Sequence, residues 1–160
     1  MKHRPFFAGL LIAGSLFASH AFAADADQIK ASQAWIRVMP GTLPAGGYVT
    51  LANHSDHAVS LKGASSASYG HVMLHKSSTE GGMGRMEMVD SLSIPAHGTA
   101  TLSPGGYHLM LMDAAKPVKV GDKVSLTLNF ADGSTLVTDF DAKPANTVDA
   151  ADAPMDHAHH

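Results

Sequence analysis

The chain has 160 residues, 45% of them hydrophobic, with a formal net charge of −3 and no cysteine. That length suits one domain rather than two, and the acidic balance argues against nucleic acid as a partner. Without cysteine there is no disulfide, no thiolate nucleophile, no iron–sulfur cluster and no blue-copper centre, which needs a cysteine sulfur.

The chain opens on a basic start, Lys2, His3 and Arg4, followed by an apolar run from Phe6 to Phe17 and then Ala21-Phe22-Ala23. This is the pattern of a secretory signal peptide over residues 1–23, cleaved near Ala23, and it predicts export of the mature protein. The apolar run is too short for a comfortable membrane span, and no cysteine stands at the cleavage site to take a lipid. Removing Lys2 and Arg4 leaves nine basic residues against fourteen acidic ones, a net charge of −5.

Residues 24–29 read as a short frayed start. Trp35, Ile36, Val38 and Met39 suggest a first strand over residues 32–39, and Pro40-Gly41 with Pro44-Ala45-Gly46-Gly47 a loop. Residues 48–52 form a second strand, 53–57 a polar turn and 58–62 a third strand. In 71–75, Val72 and Leu74 alternate with His71, Met73 and His75, a strand with an apolar face and a histidine face. Residues 76–84 read as a polar loop, 86–89 as a short strand, 94–98 as a turn, 99–102 as a strand, and Pro104-Gly105-Gly106 as a tight turn before a strand at 107–112. A hairpin joins 124–130 to 135–140 across the Asp132-Gly133 turn. About nine short strands with no long helical period predict an all-β fold, a sandwich or barrel filling residues 24–143. The composition then shifts to Ala, Asp and Pro, which predicts a disordered tail over 144–160.

Methionine and histidine crowd into residues 71–112. Residues two apart share one face of a strand, so His71, Met73 and His75 line up, as do Met86 and Met88, and His108, Met110 and Met112. Imidazoles and thioethers without thiolate or carboxylate suit a soft, exchangeable ion, and Cu(I) fits best. In an oxidising compartment a thioether presents soft sulfur that cannot form a disulfide. Methionine is otherwise a filler of cores, and on that ground Met39, Met73, Met88 and Met112 are expected in the core or at the rim of the site. Trp35 and Tyr48 are expected to be core aromatics, His54, His57 and His97 to be surface histidines of turns, and His71 to lie beside the site. No nucleophile or acid–base motif stands out, so the chain does not read as an enzyme.

The spacing is more specific. His75, Met86, His108 and Met110 give H-x10-M-x21-H-x-M, flanked by Ala34-Trp35-Ile36-Arg37, by Gly47-Tyr48-Val49-Thr50-Leu51-Ala52-Asn53 and by Pro104-Gly105-Gly106-Tyr107-His108-Leu109-Met110-Leu111-Met112. This pattern resembles the periplasmic copper chaperones of the PCu(A)C family over nearly all of the mature chain to about residue 142. The resemblance implies a cupredoxin-like Greek-key β-sandwich, with His75, Met86, His108 and Met110 as Cu(I) ligands. It also implies delivery to the dinuclear copper centre of a cytochrome oxidase copper subunit, with a thioredoxin-fold copper chaperone as co-worker. A copper-sequestering or resistance protein with the same site and no dedicated acceptor is the alternative. In the tail, Met155, His157, His159 and His160 form an auxiliary metal set whose nitrogens suit Cu(II).

Overall fold

The computed structural model describes residues 23–147. The signal peptide expected up to Ala23 and the auxiliary set Met155, His157, His159 and His160 fall on residues outside that range, apart from Ala23 itself. A single 3-10 turn, Asp25–Gln28, precedes ten strands: β1 (Ile29–Arg37), β2 (Ala45–Asn53), β3 (Val59–Ser65), β4 (Tyr69–Glu80), β5 (Met83–Met88), β6 (Leu92–Ile94), β7 (Thr99–Leu102), β8 (Tyr107–Ala114), β9 (Lys123–Phe130) and β10 (Thr135–Lys143). The all-β fold is as the sequence implied. None of the described helices is long and apolar enough to cross a membrane.

The strands form one mixed sheet in the order β5-β4-β8-β2-β1-β10-β9-β3-β6, with β7 also paired to β2. Only β1 and β10 run parallel among the described pairs. The sheet curls on itself, with β3 against β4 and β6 against β2 and β7. The enclosed core is mostly aliphatic, with Ile36, Leu51, Leu109, Leu111 and Leu126, together with Phe140, all but removed from solvent. Burial of each contributes about 1.5–3 kcal/mol.

A bulge sets the faces of β1. Its register with β2 shifts between Ser32 and Trp35, and Gln33 sits at φ 52. The extra residue inverts the alternation, so Ile29 and Ile36, of opposite parity, both enter the core. Trp35 is turned to the outer face, opposite Tyr48.

Two expected loops are strands. Ala45, Gly46 and Gly47 belong to β2; all three pair with β8, and Gly46 and Gly47 pair with β1 as well. Their small size is a packing requirement: a Cβ on Gly46 would lie 2.5 Å from the Tyr48 hydroxyl oxygen, and one on Gly47 3.0 Å from Leu111 Cδ1. Residues 76–84 are not a loop but the outer half of a hairpin, β4 with β5, closed by Gly81 and Gly82 at φ 61 and 78. Both central residues at positive φ is the pattern of a tight hairpin turn. The first strand also begins and ends earlier than expected, and Leu92–Ile94 adds a short strand where a turn was expected to begin.

The N-terminal turn is pinned to the β9–β10 turn. Asp25 N–H donates to Asp132 Oδ2 at 2.9 Å and Ala26 N–H to Ser134 Oγ at 2.9 Å. The Ser134 hydroxyl, then the backbone N–H of Asp25 and that of Ser134, hold the Asp132 carboxyl below the usual carboxylate range. A depressed pKa means this anchor is fully present above the unfolded value and lost as pH falls through the folded one. Acidification below about pH 3.8 should therefore release the 25–28 turn before the sheet melts, and Asp132→Ala should release it at pH 7. Backbone amide NMR signals of Asp25 and Ala26 report both; unchanged signals in the variant would contradict the anchor.

Candidate metal centre

The histidine and methionine residues occupy the outer face of the β5-β4-β8 edge. On β4 and β8 the register sets His75 opposite His108, Met73 opposite Met110 and His71 opposite Met112. On β4 and β5 it sets His75 opposite Met88 and Ser77 opposite Met86. Directly opposed residues share a face, so all eight imidazoles and thioethers lie on one side. The two-residue alternation predicted from sequence is the one that the strands use.

His75 and His108 form the centre, with ring centroids 5.8 Å apart and planes inclined by 59°. Met110 lies one row to one side of this pair and Met86 one row to the other, diagonal neighbours on the outer strands. Long side chains reach across such diagonals. Thus the register gathers the four residues of the H-x10-M-x21-H-x-M pattern around one histidine pair.

The histidines differ in a way that bears on chemistry. His108 is buried, at 5% exposure, and its Nδ1–H donates to the Gly106 carbonyl at 3.1 Å. That bond holds the ring and leaves Nε2 with its lone pair, the arrangement seen for metal-binding imidazoles. The Gly106 carbonyl also accepts from Ser77 N–H at 3.0 Å, tying β4 to the turn before β8. Both ring nitrogens of His75 are shielded and make no hydrogen bond among the described residues. A buried imidazole with no partner is unfavourable; an ion accepted by one nitrogen would remove part of that cost. Burial, and secondarily the neighbouring His108, push the His75 imidazole below the usual histidine range. It is therefore neutral at pH 7, the form that binds a metal.

The methionines are not core fillers. Neither the core cluster nor the partly buried side chains that pack on it include a methionine among the described residues. Met86 is 55% exposed, and Met83 and Met88 are more exposed still. A core position for Met73, Met88 or Met112 is thereby excluded; all three lie on the outer face, along the rim of the histidine pair. Met39 lines a cavity of about 1020 Å³ between the loop after β1 and the loop after β8. No group of three or more His, Asp or Glu side chains that could hold a metal is found among the described residues; the face combines imidazoles with thioethers instead.

One neighbour of the site was not anticipated. Gly46 lies opposite Met110 across β2–β8, and the Tyr48 hydroxyl occupies the space where a Cβ of Gly46 would be. Tyr48 in turn packs on Trp35, centroids 4.5 Å apart, with Arg37 5.5 Å from both rings and Lys143 5.4 Å from Trp35. Trp35 and Tyr48 are buried but stand outside the main core, on the same face as the donor rows. The signal was the Gly46-Gly47-Tyr48 order, small residues beside an aromatic. Gly46→Ala should push Tyr48 off Trp35 and cost about 1–3 kcal/mol through overpacking. A melting curve and the tryptophan fluorescence of the variant check this, and a parent-like value of both would show that the ring yields freely.

The chain is a curled all-β sheet that carries a His/Met face on its outer side. The chain belongs to the family described as "Putative lipoprotein LpqE-like", whose model matches residues 29–142. It is 35% identical to "Putative lipoprotein Lxx21020" of Leifsonia xyli subsp. xyli over 112 residues, 69% of this chain and 67% of that protein. Its structural neighbours are PCuAC domains, as the sequence motif implied. The copper-bound PCuAC domain from PmoF2 is 26% identical, with a TM-score of 0.62, covering 73% of this chain and 93% of that one. The solution structure of CuI-DR1885 from Deinococcus radiodurans is 37% identical, with a TM-score of 0.58, covering 78% and 83%.

Proposed function

We propose that this chain is an exported copper carrier that holds Cu(I) at His75, Met86, His108 and Met110 and passes it on in the periplasm. The observation that carries this reading is the histidine pair: His75 with two shielded, unpaired nitrogens beside His108 with its Nδ1 fixed by Gly106. Two structural neighbours, the copper-bound PCuAC domain from PmoF2 and CuI-DR1885, support the choice of ion. The chemistry agrees, since two neutral imidazoles and two thioethers favour soft Cu(I) over Zn(II) or Mg(II). Copper is cargo here, bound without thiolate and so without the tenacity of a cysteine site. The acceptor in this reading is the copper subunit of cytochrome oxidase, with a thioredoxin-fold copper protein acting alongside. The 160 residues contain no cysteine, so none of them could carry a lipid through sulfur, whatever the relatives' names suggest for those proteins.

The test is an anaerobic Cu(I) titration of the mature full-length chain against a competing chelator, followed by mixing with an apo copper-subunit domain. Uptake reported by the Met86 and Met110 methyl signals, then transfer, is the expected result. Uptake without transfer would favour sequestration, and no uptake would overturn the reading.

A further inference from the structure

The donor face is longer than the four-residue site. Beyond the His75–His108 row the same face carries Met73 opposite Met110 and, one row further, His71 opposite Met112. Each row lies about 7 Å from the next, two residues of strand rise. His71 and Met112 are therefore on the order of 13 Å from the histidine pair, too far to share an ion with it. Met73 is the diagonal neighbour of Met112, within reach of a long side chain.

This far end differs from the centre in one respect. Asp113, the residue after Met112, adopts φ 55, a left-handed conformation uncommon for a residue with a side chain. Its Oδ2 lies 3.7 Å from His71 Nε2. That is beyond hydrogen-bond distance but places a carboxylate charge beside the imidazole. Among the described residues the His75–His108 pair has no such carboxylate partner. Both His71 and Asp113 are exposed, so an ion would meet them without rearrangement of the core. No methionine here has a packing role in the core to explain it.

We propose that His71, Met73 and Met112 form a second, shallower Cu(I) site, with Asp113 supplying the negative charge that the central site lacks. The proposal rests on the reading of copper as cargo and extends it: the chain holds two ions on one face, the outer one exposed and charge-balanced, the inner one shielded. Three donors, one imidazole and two thioethers, satisfy the softness of Cu(I). The open setting and the absence of thiolate make it the weaker of the two.

The test follows the methionine methyl and histidine ring NMR signals of the mature full-length chain through an anaerobic titration with Cu(I). Met86 and Met110 should move with the first equivalent, and Met73, Met112 and the His71 ring with the second. In a His71→Ala, Met112→Leu double variant the second step should weaken at least tenfold, while the first is unchanged. Both residues lie outside the core, so the fold should survive, and the unperturbed methyl signals of the variant check that it does. A second equivalent that moves only Met155, or a double variant that matches the parent, would overturn the second site. If Met73 and Met112 respond but Met86 and Met110 never do, the outer site stands and the assignment of the central one fails.

Discussion

Met86→Ala and Met110→Ala should each lower Cu(I) affinity by more than about 100-fold, because even partners one shell removed from a metal are worth 10–100-fold. Stability should change little, by about 0.5 kcal/mol or less for an exposed position. The separation of the two effects follows from placement. Met86 lies on a strand whose six residues are all exposed, and Met110 is half-buried on the outer face, apart from the side chains that pack on the core. Deleting either thioether removes a donor and creates no cavity. Chelator competition measures the first quantity and thermal melting of the copper-free protein the second. Parent-like Cu(I) affinity in both variants would refute thioether ligation, and a large loss of stability in either would show that the side chain packs after all.

Phe140→Ala should have the opposite profile. Phe140 is among the largest fully buried side chains, and a Phe→Ala change in a core costs about 3–5 kcal/mol. Against a typical stability of about 5–15 kcal/mol this is a large fraction, equivalent to a fall in melting temperature of roughly 10–20 °C. The residue sits on β10, four strands from β4 in the sheet order, so the surviving folded fraction should bind Cu(I) with parent affinity. A urea midpoint that drops with an unchanged slope is the expected signature. A variant as stable as the parent would mean that the core closes over the gap.

The donor pattern was readable from sequence because β-alternation is local. His71, Met73 and His75 share a face by counting alone, and β4 carries them as counted. What counting could not give is the opposition of those residues to Met112, Met110 and His108, since register across thirty or more residues is set by packing of the whole sheet. The parallel partnership of β1 and β10 was hidden for the same reason. The 76–84 hairpin was missed because it sends no side chain into the core, so Lys76, Ser77, Ser78, Thr79 and Glu80 show no apolar period to detect. Gly46 and Gly47 misled in the other direction. Glycine usually marks a turn, but here it marks a strand crowded by Tyr48 and by Leu109 and Leu111. The methionines misled by composition: in most proteins they fill gaps in a core, and only the aliphatic completeness of this core leaves them outside it.

The position of β5 at the edge of the sheet has a kinetic consequence. Met86 rides on a strand that pairs with β4 alone and buries none of its residues. An isolated two-stranded ribbon is marginally stable in water, and local openings of this kind cost far less than global unfolding. With Met86 as a ligand, as proposed, the residence time of a bound ion is governed by how often the Gly81-Gly82 arm lifts away, while resistance to denaturation is governed by Phe140, Leu109 and the other core residues. Off-rate and durability are thus set by different residues, and substitutions in the arm can lengthen or shorten retention of the cargo without any cost to the robustness of the domain.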